Sequence, residues 1–162
     1  PYAELLGYGA TSDAHHMVQP REDGSEAGRA AVIALRDAGV SPDAIDWVSA
    51  HASSTPLGDI AEARAIRLAL GERASSVPVS GTKAYYGHPL GASGAIEGAI
   101  AALAIRHGWV PPSLNLVAPE AEVAALLPGL LREGCSGEYR RVLSTSFGFG
   151  GLNAAIVVGA VE

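Results

Sequence analysis

Residues 47–56 read Trp-Val-Ser-Ala-His-Ala-Ser-Ser-Thr-Pro, a short apolar strand that passes through a polar turn into the start of a helix. Thr55 is placed to cap that helix, and Gly71 is placed to end it. A second apolar strand, residues 77–80, is followed by a long helix over residues 89–108. Strands that alternate with helices usually pair in parallel, so this part of the chain predicts an α/β fold.

The pattern extends outward on both sides of this stretch. In chain order the other predicted elements are a strand over 2–10, a loop over 11–24, a helix over 25–38, an extended segment over 109–119, a short helix over 120–127, and strands over 141–145 and 154–158. The Gly-rich connection between the last two strands indicates a β-hairpin. The sequence therefore predicts one α/β domain over 1–162, with helices packed on the faces of a mixed sheet and a closing antiparallel hairpin.

Composition excludes several classes of protein. The net charge is −6 and the Lys and Arg residues are scattered, which argues against a nucleic-acid partner. A single cysteine, Cys135, excludes an internal disulfide and favours a reducing, cytoplasmic location. The longest apolar stretch, residues 90–105, is too short for a membrane span and contains Glu97. The first predicted strand starts at the second residue with no lead-in, so we expect the chain to be part of a longer protein.

Three ionisable residues follow the two predicted parallel strands. His51 comes after one strand, and Lys83 and His88 come after the other. Ligand sites in open α/β sheets lie at the carboxyl ends of such strands, so we expect these side chains to meet. His88 directly precedes the long helix, whose dipole disfavours an imidazolium, so the ring should stay neutral and donate a hydrogen bond to an oxyanion or enolate. A helix cap or a hydrogen-bonded core histidine is the alternative interpretation.

Glu97 is predicted to lie about two and a half turns into a helix that is apolar almost all round. A buried carboxylate must be paired or neutralised, and Lys83 is the nearest candidate by topology. A Lys83–Glu97 pair would also orient the neighbouring histidines. Alternatively, Glu97 reaches the solvent at the edge of the helix.

The hairpin connection, residues 146–151, reads Ser-Phe-Gly-Phe-Gly-Gly. No helix follows it, which excludes a phosphate-binding loop, but its backbone N–H groups can point at a reacting oxygen. A simple flexible turn is the alternative. Cys135 lies between acidic residues that disfavour a thiolate, so it is not predicted to be a nucleophile. No His or Cys spacing fits a metal site, and none is predicted.

Three motifs in this order resemble the β-ketoacyl-acyl carrier protein synthases, and in particular the elongating enzymes of type II fatty-acid synthesis. The motifs are His51 to Pro56, Gly81 to Gly94 and Ser146 to Gly151, and residues 110–116 match a further stretch of that family. The similarity covers nearly the whole chain. It implies the C-terminal half of a thiolase fold and a decarboxylative Claisen condensation of malonyl carrier protein with an acyl thioester.

The resemblance also implies roles for individual residues. The catalytic set would be His51 and His88, which stabilise the enolate, Lys83, which tunes their electrostatics, and Phe149, a gate whose N–H helps to form the oxyanion hole. Ser53 and Thr55 would bind the phosphopantetheine arm, while Phe147, Gly148 and Gly150 are predicted to contact substrate. Glu97 would be the charged partner of Lys83 behind the catalytic residues.

Two departures from the family pattern stand out. The family usually has Gly-Thr after the first histidine, where this chain has Ala52-Ser53, so we expect altered packing with the hydroxyl retained. The family's nucleophilic cysteine lies in the N-terminal half, which this chain lacks, so the chain alone should be inactive. Because the family's carrier protein is typically acidic, as this chain is, the carrier protein should dock on a local patch or on the N-terminal half.

The expected partners are acyl carrier protein, the N-terminal half and, when the protein is complete, a second copy. The substrates are carried on phosphopantetheine, so no cofactor of the protein's own is predicted. Three alternatives stay open at this point: a polyketide ketosynthase, a non-catalytic chain-length partner subunit, and a module that binds acyl or pantetheine groups without chemistry. Intact His51, His88 and Lys83 argue against the chain-length subunit.

Overall fold

The computed structural model describes all 162 residues and places eleven helices and strands along the chain. In chain order they are β1 (Glu4–Ser12), α1 (Ser25–Asp37), β2 (Trp47–Ser49), α2 (Pro56–Leu70), β3 (Val79–Ser80), α3 (Ser93–His107), β4 (Trp109–Val110), α4 (Ala121–Leu126), β5 (Cys135–Ser136), β6 (Arg141–Gly148) and β7 (Leu152–Gly159). The α/β prediction is confirmed.

The main sheet has five strands in the order β1–β7–β6–β2–β3. β2 pairs in parallel with β3 on one side and with β6 on the other, whereas β6, β7 and β1 pair antiparallel. The sheet is therefore mixed, and the predicted closing hairpin is present and longer than expected. Because β2 and β3 are parallel, the loops after them leave the sheet at the same edge.

Helices cover both faces of the sheet. α1 and α2 pack on one face, and α3 packs on the other, against β6 and β7. Alternate residues of the strands divide between the two cores, as the two-residue period of a strand requires. Leu143 and Val157 lie in the core beneath α1 and α2, and their neighbours Val142 and Val158 lie in the core beneath α3.

Two glycines of β1 let α1 lie close against the sheet. Gly7 and Gly9 are buried, and a methyl group at either position would overlap the backbone carbonyl of Ala34 or Ala30. The buried side of α1 consists largely of alanines, so helix and strand meet almost backbone to backbone. This contact fixes β1 as the edge strand beside β7.

Three local features differ from the sequence prediction. The extended segment after α3 contributes β4, which pairs with β5 in a separate two-stranded sheet that the pattern did not indicate. α3 begins at Ser93 rather than at Pro89, because residues 90–92 form a 3-10 turn in which Leu90 has a φ of 49°. The hydroxyl of Thr55 makes no capping bond to α2.

None of the helices has the length and apolar character that a membrane crossing requires.

Candidate active site

The loops after β2 and β3 bring two histidines and a lysine together. The rings of His51 and His88 lie edge to face, with centroids 5.3 Å apart and an interplanar angle of 77°. Lys83 Nζ lies 3.3 Å from His51 Nδ1. The structure thus joins the three ionisable residues that the sequence placed at this edge of the sheet.

The hydrogen bonds of the two rings fix where their protons lie. His88 Nδ1 accepts a hydrogen bond from the backbone N–H of Leu90 at 3.2 Å and lies 3.2 Å from Ser93 Oγ. A backbone N–H can only donate, so this Nδ1 carries a lone pair and the proton of the neutral ring is on Nε2. The ammonium of Lys83 likewise donates to His51 Nδ1. Both neutral imidazoles therefore keep an Nε2–H that is free to donate.

A helix dipole is not what keeps the Nδ1 of His88 unprotonated. The sequence predicted a helix that starts at Pro89, but α3 begins five residues after the histidine. The bond from Leu90 N–H holds the Nδ1 lone pair instead. The same change of helix start puts Glu97 one turn into α3, rather than two and a half turns.

His51 is held in its uncharged form by its surroundings. The side chain is buried, with 8% of the residue exposed. Burial is the main cause, and the nearby charge of Lys83 adds to it; together they lower the pKa of His51 from 6.5 to about 3. A neutral imidazole in this position is able to donate a hydrogen bond to a developing negative charge.

Lys83 and Glu97 form a buried ion pair beneath the histidines, as the sequence predicted. Lys83 is 6% exposed and Glu97 is fully buried. Lys83 Nζ also donates to the backbone carbonyl of His51 at 2.5 Å. Burial raises the pKa of Glu97, and the bond and charge of Lys83 oppose that rise. Glu97 Oε2 and Ser49 Oγ are buried without a hydrogen-bond partner in the chain.

The two phenylalanines of the hairpin loop are placed differently. The ring of Phe147 lies 5.7 Å from that of His51 and forms one wall beside it. Phe149, predicted to act at the catalytic centre, is 74% exposed and makes no aromatic contact with either histidine. The N–H of Gly150 donates to the carbonyl of Met17 at 2.7 Å, so that N–H is used within the chain. Gly148, just before the turn, is exposed.

Residues 2–117 match the family model of the β-ketoacyl synthase C-terminal domain. This chain belongs to the β-ketoacyl synthase family. It is 45% identical over 163 residues to the mitochondrial 3-oxoacyl-[acyl-carrier-protein] synthase of Arabidopsis thaliana. It is 44% identical over 158 residues to 3-oxoacyl-[acyl-carrier-protein] synthase 2 of Vibrio cholerae. The alignments cover 99% and 96% of the chain but only 35% and 38% of those relatives.

Solved structures show the same relationship. One is a type II PKS acyl-carrier protein in complex with its ketosynthase, which is bound to the hexaketide; its TM-score is 0.92 at 37% identity, over 99% of this chain and 39% of that one. Another is a β-ketoacyl synthase from Burkholderia phymatum STM815, with a TM-score of 0.90 at 36% identity, over 99% and 38%. This synthase domain therefore has the thiolase-like fold of ketosynthases and spans less than half of each relative.

The predicted pantetheine-binding hydroxyls lie beside this site. Ser53 Oγ and Thr55 Oγ1 are 3.2 Å apart in the loop between β2 and α2. A cleft of about 460 Å³ runs from His88 and Lys83 past Ser53 to an apolar floor that includes Val123. Ser53 thus lines a recess that extends to His88, whereas Thr55 does not line it.

The loop also shows what the substitution at Ala52 does. Ala52 has a φ of 40°, in the left-handed region that favours glycine, and Ser54 has a φ of 62°. A methyl group at Gly81 would overlap that of Ala52. The altered packing expected at this position therefore has two parts. The backbone of Ala52 is strained, and the absence of a side chain at Gly81 makes room for the methyl group of Ala52.

One residue of this synthase domain was missed by the sequence analysis. Glu62, on α2, is 5% exposed and accepts hydrogen bonds from the backbone N–H groups of His51 and Ala52, at 2.8 and 2.7 Å. The hydroxyl of Thr145 donates to the same carboxylate at 2.8 Å. Burial raises the pKa of Glu62 from 4.5 to about 7. A signal was present, since Glu62 lies on the same helix face as the buried Ile66 and Ala69, four and seven residues later.

Cys135 is not part of this arrangement. It lies on β5 of the small sheet, where its carbonyl accepts a hydrogen bond from the hydroxyl of Tyr139 at 3.1 Å. No group of three or more His, Cys, Asp or Glu side chains is placed to hold a metal ion.

Proposed function

We propose that this chain is the C-terminal half of a 3-oxoacyl-[acyl-carrier-protein] synthase, and that the whole protein catalyses the decarboxylative condensation of malonyl carrier protein with an acyl thioester. The observation that carries the proposal is the pair of neutral imidazoles, 5.3 Å apart, whose Nδ1 atoms are occupied and whose Nε2–H groups are free. Membership of the β-ketoacyl synthase family supports it.

The chemistry needs such a pair of donors. When the bond between the malonyl carboxylate and the adjacent carbon breaks, carbon dioxide leaves. The electron pair of the broken bond stays with the thioester as an enolate. The negative charge builds up on the thioester oxygen, and two N–H donors that carry no charge of their own can hold it. The enolate carbon then attacks the carbonyl of an acyl-enzyme, and the nucleophile leaves as a thiolate.

The nucleophile belongs to the part of the protein outside this chain in our proposal. Cys135 has no contact with the histidines, and an acyl-enzyme cannot form without a thiolate. The adjoining polypeptide should therefore contain a cysteine in an apolar turn between a strand and a helix. No cofactor of the protein's own takes part, because the substrates arrive on the phosphopantetheine of the carrier protein.

Lys83 and Glu97 would act on the histidines rather than on the substrate. Lys83 donates to the carbonyl and to Nδ1 of His51, which orients the ring and keeps its remaining proton on Nε2. Glu97 holds Lys83 from the other side and balances its charge. Phe147 would limit the space beside His51, while a gating and oxyanion-hole role for Phe149 stays a prediction.

The experiment is a decarboxylation assay with the full-length protein. Purified protein is mixed with malonyl carrier protein, with and without a primed acyl carrier protein, and the acetyl and 3-oxoacyl products are separated by mass. We expect both products, and we expect neither from residues 1–162 alone. Full-length protein that binds both substrates but forms neither product would refute the proposal.

The proposed partners are an acyl carrier protein, the N-terminal half and a second copy of the complete protein. Several large apolar side chains on and near the α3 side of the sheet are exposed, including Leu90 at 72%, Leu103 at 48% and Leu152 at 64%. Such a surface on one piece of a fold fits burial by the other half. The isolated chain should therefore self-associate, and a clean monomer in sedimentation would count against this part of the proposal.

A cytoplasmic location also belongs to the proposal. The Arabidopsis thaliana relative is named mitochondrial, so the family is not confined to one compartment. Cell fractionation with an antibody against the full-length protein decides between the two.

A polyketide ketosynthase is the second candidate function. Three structures with TM-scores from 0.87 to 0.92 are described as a polyketide ketosynthase with its carrier protein or as ketosynthases with a chain length factor. Product analysis separates the candidates, because a fatty-acid enzyme releases a single 3-oxoacyl group per cycle and a polyketide enzyme extends it without reduction. Binding of acyl-pantetheine without turnover would instead indicate a binding module.

A further inference from the structure

The ring of His88 has fewer restraints within this chain than the ring of His51. His51 is buried, its Nδ1 receives a hydrogen bond from Lys83, and Phe147 lies against it. His88 is exposed, and its aromatic neighbour is His51, whose ring meets it edge to face. The last side-chain bond of a histidine allows a broad range of orientations, so an exposed ring is not held by that bond itself. The hydrogen bonds to Nδ1 must therefore set the direction of the His88 ring.

Two donors meet at His88 Nδ1. The backbone N–H of Leu90 donates to it at 3.2 Å, and Ser93 Oγ lies at the same distance. Because the Leu90 N–H requires an acceptor at Nδ1, the hydroxyl of Ser93 is the donor in the second bond. Ser93 is 3% exposed, and this is the one hydrogen bond of its hydroxyl within the chain. The buried hydroxyl and the exposed ring thus depend on each other.

The backbone between His88 and α3 brings this hydroxyl back to the ring. Residues 90–92 form a 3-10 turn, and Leu90 has the left-handed φ of 49°. Ser93 is the first residue of α3, so it lies five residues after His88 in sequence but beside its Nδ1 in space. A left-handed leucine is strained and persists only where its surroundings hold it. The bond from Ser93 to His88 crosses this turn and is such a restraint.

We propose that Ser93 is a positioning residue of this synthase, which holds the ring of His88 so that its Nε2–H points at the thioester oxygen of the forming enolate. This inference rests on the proposed function. If the ring turned by half a revolution, a carbon would replace Nδ1 opposite both donors, and the hydroxyl of Ser93 would lose its partner. A buried donor without a partner is costly, so Ser93 disfavours that orientation. Ser93 acts through His88, because its proton is used by Nδ1.

The alternative is that Ser93 is merely a small residue that fits the start of α3. Ser93→Ala separates the two roles, because it removes the hydroxyl, keeps the side chain small and suits a helix at least as well. A residue that only packs would tolerate this change without effect on the site. A residue that positions His88 would not, although the protein stays folded.

The experiment compares Ser93→Ala and Ser93→Thr with wild type in the full-length synthase. Decarboxylation of malonyl carrier protein gives kcat and KM. NMR of protein with nitrogen-labelled histidine gives the Nδ1 and Nε2 signals of His88, which a His88→Ala protein assigns. We expect Ser93→Ala to lower kcat about 3- to 10-fold, the effect of one hydrogen bond, and to change KM less than about twofold. Its Nδ1 signal should move toward that of an imidazole nitrogen with fewer hydrogen bonds.

Two other variants make the result specific. Ser93→Thr keeps a hydroxyl, so it should keep the wild-type Nδ1 signal and at least about half of the wild-type kcat. Ser136→Ala removes a hydroxyl from an exposed residue of β5 and is the matched control, which should change neither quantity.

Three results would overturn the inference. One is a kcat for Ser93→Ala within about twofold of wild type, which is less than the loss of an orienting hydrogen bond produces. Another is an unchanged Nδ1 signal of His88 in that variant. The third is a Ser93→Thr protein that keeps the wild-type signal but has the kcat of Ser93→Ala, because the hydroxyl would then not set the rate.

Failure of the proposed function gives a different result. A wild-type protein that does not decarboxylate malonyl carrier protein refutes the reaction, whatever Ser93 does. In that case the Nδ1 signal still decides whether Ser93 holds the ring, since an unchanged signal in Ser93→Ala overturns the inference by itself.

Discussion

Replacing Lys83 with methionine should destabilise the folded protein strongly. Glu97 is fully buried, its Oε1 pairs with Lys83, and its Oε2 has no partner in the chain. The Lys83→Met variant therefore takes from a buried carboxylate both its closest hydrogen-bond donor and its opposite charge. Removing one member of a buried ion pair typically costs about 3–5 kcal/mol of the free energy of unfolding, and we expect a loss in that range.

The double variant shows whether this loss comes from the unpaired charge. Lys83→Met combined with Glu97→Met removes both charges and fills much of the same space with apolar side chains, an exchange that is often close to neutral. The double variant should therefore be less destabilised than the sum of the single variants by at least about 2 kcal/mol. Activity should stay low in all three, because each lacks a group that orients His51 directly or through its partner.

Urea unfolding of the full-length protein measures this cycle. Tryptophan fluorescence reports on the site, because Trp47 is fully buried on β2 and its Nε1–H donates to Ser80 Oγ at 3.0 Å. The four free energies come from linear extrapolation of the transitions. Additive losses in the double variant, or a loss below about 1 kcal/mol in Lys83→Met, would refute the reasoning that the pair is buried and mutually dependent.

Three further predictions concern neighbouring residues. Burial favours the protonated form of Glu62 and raises its pKa to about 7, so the folded state loses stability as the pH rises. Between pH 4.5 and 7, wild type should lose about 3 kcal/mol of unfolding free energy relative to Glu62→Gln. Parallel curves of unfolding free energy against pH for the two proteins would contradict this. His51, whose pKa is lowered to about 3, should keep the Cε1–H chemical shift of a neutral ring down to pH 5, and a titration near pH 6.5 would show that the ring is not shielded. Ala52→Gly relieves the left-handed backbone at residue 52. It should raise the free energy of unfolding by up to about 1 kcal/mol and so raise the urea midpoint, whereas a lower midpoint would show that no strain is present.

The sequence predicted the sheet and its helices well, because the spacing of apolar residues and the residues that begin and end each element agree there. The apolar strands 47–50 and 77–80, each followed by a polar turn and a helix, led directly to the parallel pair and to the edge where the histidines meet. The small sheet of β4 and β5 was missed, because two residues per strand are too few to show a period. The start of α3 was misplaced, since Pro89 is acceptable at a first helical turn and only the left-handed Leu90 excludes it.

Within the site, the identity of the reactive residues was easier to predict than the direction in which individual side chains point. Two histidines and a lysine after parallel strands are conspicuous in the sequence, and the buried Glu97 called for a partner. Nothing in the sequence of the loop distinguished Phe147, which lies against His51, from Phe149, which is exposed. Which side of a hairpin turn a ring occupies depends on the backbone angles of the turn.

The most direct test of the two-histidine mechanism is the rate at which the full-length protein decarboxylates malonyl carrier protein when His51 and His88 are replaced by alanine one at a time. Loss of a single donor to an oxyanion typically lowers a rate about 10²- to 10³-fold, and we predict a loss of that size for each variant with the protein still folded. Rates within about threefold of wild type for both variants would contradict the account, because the enolate would then be stabilised by other groups.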